Sequence, residues 1–290
     1  MALRYRSIFR PGLFQDQVVI VTGGGSGIGR CTAHELAALG ARLALVGRKP
    51  DKLDRVRAEI AAAGGEAEHW ICDIRAEATV KDTVSAILAR YRRIDGLVNN
   101  AGGQFASPLG RITQKGWEAV VGTNLTGGFL MAREVYTQAM AQRGGAIVNI
   151  VADMWLGAPL MGHSGAARAG MVNFTQTAAV EWSAANVRVN AVAPGWIASS
   201  GLDSYPAAMR ETIRGLKHHS PAGRLGTESE VAAAIVFLLS EAAAYISGAT
   251  LRVDAAAPNA PRSVTLPPRQ APMPAFNGFH LAESPDVLRD

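Results

Sequence analysis

The chain has 290 residues, 48% of them apolar, and carries a formal charge of +5, which suits one large α/β domain or two small ones with a sizeable core. Its basic residues are scattered, apart from Arg4/Arg6/Arg10 and Arg90/Arg92/Arg93; this argues against nucleic acid as a partner and for anionic small molecules. No apolar run is long enough to insert in a membrane, no signal-peptide or peroxisomal pattern is present, and Cys31 and Cys72 lack metal-ligand or disulfide spacing, so a cytoplasmic, metal-free protein is expected.

In chain order, the apolar run Gln17-Val-Val-Ile-Val21 predicts a buried strand, and Thr22–Gly29 reads TGGGSGIG before a helix that runs to Leu39. A strand, a glycine-rich turn and a helix N-terminus form a diphosphate site, because free N–H groups and the helix dipole favour negative charge. Further strands are predicted at Arg42–Val46, Glu68–Cys72, Gly96–Val98, Ala146–Val151, Val187–Val192 and Thr250–Val253. Helical periodicity fills Gly27–Leu39, Lys52–Ala63, Thr79–Tyr91, Gly116–Gln142, Ala166–Ala184 and Glu228–Leu239. The alternation predicts a single α/β Rossmann-type domain over residues 1–257. Its core is a doubly wound parallel seven-stranded sheet with helices on both faces, and ligands sit at the strand C-termini.

Two segments break the rhythm. Residues 198–226 are polar and lie at the ligand edge, as a substrate lid or a surface excursion would. Residues 258–290 form a Pro-rich C-terminal tail holding seven of the 14 prolines. It is expected to lack a conventional core element, and either to be disordered or to wrap over a neighbouring subunit.

The ordered set TGGGSGIG, Asp73, NNAG (Asn99–Gly102), Asn124 in TNLTG and Pro194–Gly195 resembles the short-chain dehydrogenase/reductases over about residues 14–254. Within that superfamily, GGQFASP (Gly102–Pro108), KGWEAV (Lys115–Val120), HSGAARAG (His163–Gly170) and RLGTESEV (Arg224–Val231) are most similar to the trans-2-enoyl-CoA and 2,4-dienoyl-CoA reductases. Bacterial relatives of this kind also include terpenoid alcohol or aldehyde dehydrogenases. The resemblance implies an NAD(P)-dependent oxidoreductase acting on a small molecule, acyl-CoA or terpenoid, and a homodimer or homotetramer. It implies that Gly23, Gly25, Ser26, Gly27, Ile28 and Gly29 cradle the diphosphate. Asp73 and Ile74 would then meet the adenine, Asn100, Ala101 and Gly102 the nucleotide, and Pro194, Gly195 and Ile197 the nicotinamide end. After the second strand stand Arg48 and Lys49 where an acidic residue would repel a 2′-phosphate, so NADP(H) is favoured over NAD(H).

The chemistry departs from the superfamily's Ser and Tyr-x-x-x-Lys. Aligned on HSGAARAG, those positions hold Val151, Ser164 and Arg168, leaving Asn124 of the usual tetrad. Serine is far less acidic than a phenol, and arginine stays protonated, so no obvious base remains for alcohol oxidation. Reduction of an enoyl-CoA needs donors and positive charge for a developing enolate, which Asn124, Ser164 and Arg168 could supply. His163, Asp153 and an ordered water are candidate proton donors, Asp153 having a turn-capping role as its alternative; Trp155, Leu156, Pro159, Leu160 and Met161 could wall an acyl pocket. Arg4, Arg6 and Arg10 could hold CoA phosphates. Two other readings stay open: a terpenoid (citronellol/citronellal-type) dehydrogenase, and a nucleotide-binding sensor or structural protein without turnover.

Overall fold

The computed structural model describes residues 4–259 and 271–289. In chain order the elements are β1 (Val18–Thr22), α1 (Gly27–Ala38), β2 (Arg42–Gly47), α2 (Pro50–Ala62), β3 (Glu66–Ile71), α3 (Glu77–Tyr91) and β4 (Gly96–Asn99). There follow α4 (Gln114–Val121), α5 (Gly128–Val135), α6 (Ala141–Arg143), β5 (Gly145–Ile150), α7 (Gly162–Glu181), β6 (Val187–Pro194), α8 (Arg210–Gly215), α9 (Glu228–Leu239) and β7 (Thr250–Val253). The strands form one seven-stranded parallel sheet in the order β3-β2-β1-β4-β5-β6-β7. The order reverses between β1 and β4, and the crevice at that switch point is where a ligand binds in such sheets.

Side-chain alternation along the strands divides the core in two. Val19, Val21, Leu43 and Leu45 pack with α1, α2 and α9. Val18, Ile20, Ala44 and Val46 pack with α3, α5 and α7. A buried polar row pins the second layer: Asn99 Nδ2 donates to Asn149 Oδ1 at 2.9 Å and to Gly128 O at 3.0 Å, and Asn149 Nδ2 donates to Thr175 Oγ1 at 2.9 Å. Pro50 opens α2, and a capping box between Thr227 and Glu230 opens α9.

Three expectations need correction. The helix predicted over Gly116–Gln142 is broken by π-helical turns at Gly122–Gly127 and Tyr136–Met140. The one predicted from Ala166 begins at Gly162, because its buried stripe already includes His163 and Ser164 despite the poor helix propensity of the glycines. The tail is not disordered over residues 271–289, where it packs on its own chain; residues 260–270 and 290 lie outside the described residues. Phe279, 3% exposed, packs with Tyr5, Cys31 and Ala232, and the Arg30 guanidinium lies 5.0 Å from its ring centroid. The Gly278 and Phe279 amides donate to Ser229 Oγ on α9, and the Arg6 amide donates to Gly278 O. The tail's end packs Val287 against Leu202 and Ile213, fastening the polar segment that follows β6.

The N-terminal arm runs along α1. Arg10 pairs with Glu241 just after α9, and Arg4 lies beside Gly64 before β3. Both therefore sit at the strand N-terminal edge, opposite the crevice, which removes them as holders of CoA phosphates. Beneath the arm, Tyr5 and Ser7 donate to the carboxylate of fully buried Glu35, and burial pushes that carboxyl up to about 7. The folded chain thus keeps a proton that the unfolded chain releases, so this group's contribution to stability falls as pH rises from about 4.5 to about 7. Glu35→Gln should remove that decline. Its stability difference from wild type, measured by urea unfolding, should shift in the variant's favour by up to about 3 kcal/mol between pH 4.5 and pH 8, whatever the constant offset.

Candidate active site

The turn after β1 is held against β4 by hydrogen bonds. Thr22 Oγ1 accepts the Asn100 and Ala101 amides at 3.0 Å each, and Asn100 Nδ2 donates to Thr22 O at 3.0 Å. This proximity dictates the glycines. A Cβ on Gly29 would collide with Asn100 Nδ2 and Gly23 O, and Gly23 itself has φ +66°. At α1, Ser26 does not cap with its side chain, and the first turn carries no acidic residue. The leading N–H groups of α1 are left for an anion.

Above this turn lies a cleft of about 390 Å³ lined by Gly23, Gly25, Ser26, Gly27, Ile28, Arg48, Lys49, Asp73, Ile74, Asn100, Ala101 and Gly102. The expected residues are therefore largely brought together. Lys52, Thr123 and Ser199–Gly201 also line it and were not foreseen, although Lys52 lies within one helical turn of Lys49. Gly29 lies behind the turn. Pro194 and Gly195 do not line the cleft; Gly195 abuts Asp254, where a Cβ would come within 2.9 Å. Ile197 faces a separate cavity.

Charge in the cleft is uneven. Arg48, Lys49 and Lys52 stand on its rim. The carboxylate near them, Asp73, is gripped by Arg75 through Nε at 2.9 Å and Nη2 at 2.5 Å. Those hydrogen bonds hold it down at about 2. Beside Gly27, and not itself lining the cleft, lies Glu228, whose carboxyl burial pushes up to about 7.

The catalytic candidates separate into two groups. Asn124 is buried in the π-turn. Its Nδ2 donates to Gly103 O at 2.9 Å and its Oδ1 accepts the Gly103 amide at 2.9 Å, so the kink and the positioning of residues 102–104 are one device. Nδ2 also reaches Ser164 Oγ at 3.4 Å. Ser164 Oγ donates to Gln104 Oε1 at 2.8 Å, and Gln104 Nε2 donates to the Tyr205 phenol at 2.7 Å. Arg168 donates to Ile150 O, while its Nε is buried without a partner among the described residues. A Cβ on Gly102 would strike its guanidinium. Burial lowers Arg168 to about 10, still cationic at neutral pH.

His163 and Asp153 lie outside this network. His163 is buried, its Nδ1 accepts the Ser164 amide at 2.8 Å, and its ring meets Phe105 edge-on at 4.4 Å. The Asp153 carboxylate accepts the Trp155 amide, as a turn cap does, and burial raises its pKa. Val151 belongs to an apolar cluster with Met171, Ala191 and Ala193. Gln104 and Tyr205 were missed by sequence reasoning. Gln104 lay inside a string read only for resemblance, and Tyr205 lies 41 positions beyond Ser164, so only folding brings them together.

A family model described as enoyl-(acyl carrier protein) reductase matches residues 23–255. The chain is similar to the peroxisomal 2,4-dienoyl-CoA reductase of Mus musculus, 35% identical over 254 residues, which is 86% of each chain. It is similar to the 3-oxoacyl-[acyl-carrier-protein] reductase of Synechocystis, 39% identical over 242 residues, 82% of this chain and 95% of the relative. Among solved structures it is similar to a citronellol catabolism dehydrogenase of Pseudomonas aeruginosa PAO1. That structure is 61% identical with a TM-score of 0.80, over 87% of this chain and 99% of the other.

The close contact at Gly29 gives a test. Gly29→Ala should displace the Asn100 amide, lower the melting temperature and abolish saturable NADPH binding, read by nicotinamide fluorescence up to millimolar concentrations.

Proposed function

The chain belongs to the short-chain dehydrogenase/reductase family, and on that premise we propose that it is an NADP(H)-dependent reductase of α,β-unsaturated acyl thioesters. The observation that carries this reading is the polar network itself: Asn124, Ser164 and a half-buried Arg168 cation converge on the segment 102–104, and among the described residues no histidine or carboxylate is hydrogen-bonded to the Ser164 hydroxyl. Such a set suits a substrate on which negative charge develops at an oxygen, rather than one whose hydroxyl must first lose a proton to a base. The dienoyl-CoA reductase relative supports it. So do Phe105, Leu109, Trp155, Leu156 and Leu160, which are exposed around the network and offer an acyl chain an apolar surface.

The cleft fits a dinucleotide. The glycine turn leaves no room for side chains beneath a diphosphate, and the first turn of α1 carries no acidic residue of its own. When bound there, the reduced cofactor supplies the hydride. The chain's part is then to orient the thioester: the Ser164 hydroxyl can donate to its carbonyl oxygen, and Arg168 lowers the energy of the enolate through its field. Preference for the 2′-phosphate rests on Arg48, Lys49 and Lys52 at the cleft and on the occupation of Asp73 by Arg75.

A second reading is favoured by one specific observation. The 61% identical structure is a citronellol catabolism dehydrogenase, so a terpenoid alcohol oxidised with NADP⁺ is the competing substrate class. Self-association into a dimer or tetramer is supported by Phe129 and Val180, exposed on α5 and α7; light scattering on the eluted protein reads it.

Two measurements test these readings. NADPH consumption should appear with 2-enoyl-CoA or 2,4-dienoyl-CoA esters. Turnover confined to citronellol and related alcohols would replace the first reading by the second. Arg48→Ala/Lys49→Ala should weaken NADPH binding at least about tenfold, equal to ~1.4 kcal/mol, and leave NADH binding within about twofold. Equal losses for both would overturn the NADP(H) preference.

A further inference from the structure

The network around Ser164 has a direction. Asn124 Nδ2 donates to Ser164 Oγ, Ser164 Oγ to Gln104 Oε1, and Gln104 Nε2 to the Tyr205 phenol oxygen. The phenol's own proton then points at the Met161 sulfur, 3.7 Å away. A thioether is a weak acceptor, so the last proton of the chain is held loosely. The Gln104 amide that donates to the phenol oxygen fixes where that oxygen sits. Serine and asparagine cannot release a proton near neutral pH, and His163 and Asp153 are outside the network. Tyr205 is the phenol that the described residues bring to it.

We propose that Tyr205 is the proton donor of the reaction. The proposal rests on the reductive reading above. As the hydride from the reduced nicotinamide nucleotide is added to the β-carbon, the π pair shifts toward the thioester to give an enolate. The Tyr205 O–H bond then breaks, its proton goes to the α-carbon, and the enolate pair forms the new C–H bond. The phenolate left behind is held by the Gln104 amide. It recovers a proton from water, which reaches it because Gln104 is solvent-exposed. In the reverse direction, or with an alcohol as hydride source, the same oxygen takes the proton.

The surroundings of Tyr205 fit a placed group rather than a stray surface residue. It packs with Leu202, Ile213 and Val287. The Val287 amide donates to the Asp203 carboxylate at 2.9 Å, and Arg214 Nε donates to Val287 O at 2.9 Å. The C-terminal segment therefore braces the phenol from outside. On the inside, Ser199–Gly201 of the same stretch line the dinucleotide cleft. Tyr205 thus reaches the network from the cofactor's own border.

The test uses the full-length protein with NADP(H), on 2-enoyl-CoA and dienoyl-CoA esters and on citronellol and citronellal. Tyr205→Phe keeps the ring and its apolar contacts. We expect kcat to fall about 100-fold or more, with the NADPH dissociation constant and melting temperature unchanged. In Gln104→Leu the phenol loses the amide that positions it, so kcat should also fall, by about tenfold or more, with the melting temperature unchanged. A Tyr205→Phe enzyme that retains more than half of wild-type kcat, on whichever substrate class wild type turns over, overturns the proposal. Turnover of alcohols alone by wild type, lost in Tyr205→Phe, supports the phenol while overturning the reductive reading. A wild type that binds NADPH and turns over neither class overturns both.

Discussion

The arrangement depends on the contact between the ends of β1 and β4. There Thr22 and Asn100 exchange side-chain and backbone hydrogen bonds across the switch point of the sheet. Two neutral hydrogen-bonding groups, each satisfied by the other's backbone, hold the turn closed without any charge. Because they do, Gly23 and Gly29 lie close against residues 100–101, and the leading N–H groups of α1 are left for an anion. A branched or larger residue in that turn would separate the two strands' ends. The cleft, its charged rim and the route to residues 102–104 all follow from this one closure.

The polar centre repeats the principle one strand farther along. Asn124 uses both ends of its amide on Gly103, so a kinked helix and a loop are locked by one side chain. The cost of the irregular helical turn is offset where the loop needs to be rigid. From there the network runs outward through residues contributed by α7, the loop after β4 and the segment after β6. Arg168 is anchored to the sheet at Ile150 and approaches Gly102 closely. Its charge is fixed in a partly desolvated setting where a field is less screened than at the surface.

Much of the scaffold could be read from the chain because its signals are local. Apolar runs marked β1, β2 and β5, helical periodicity marked α9 from Glu228, and TGGGSGIG marked the turn. The bounds drifted where β3 carries Glu66, Glu68 and His69, whose polar character hid its beginning. The π-turns were invisible because helical periodicity continues through them. At the site, Asn124, Ser164 and Arg168 could be named from their positions in motifs. Gln104 and Tyr205 could not, since their roles arise from contacts between separate segments. The proline-rich tail misled for a related reason. Proline excludes a helix or a strand, yet Phe279 and Val287 still bury their side chains from an irregular backbone.

The tail's position also bears on the order in which the protein assembles. The sheet and its crossover helices form from contacts between neighbouring stretches of chain, which become available as synthesis proceeds. The brace on the segment after β6 is different. It joins Val287 to Asp203 and Gly278 to Arg6, contacts of very large sequence separation whose loop-closure entropy makes them late events. A nascent chain released from the ribosome tunnel only as far as β7 can hold a complete nucleotide crevice but not its outer clasp. Docking of residues 278–287 is therefore expected after the crevice has formed, so the bracing of the segment after β6 is completed later than the crevice itself.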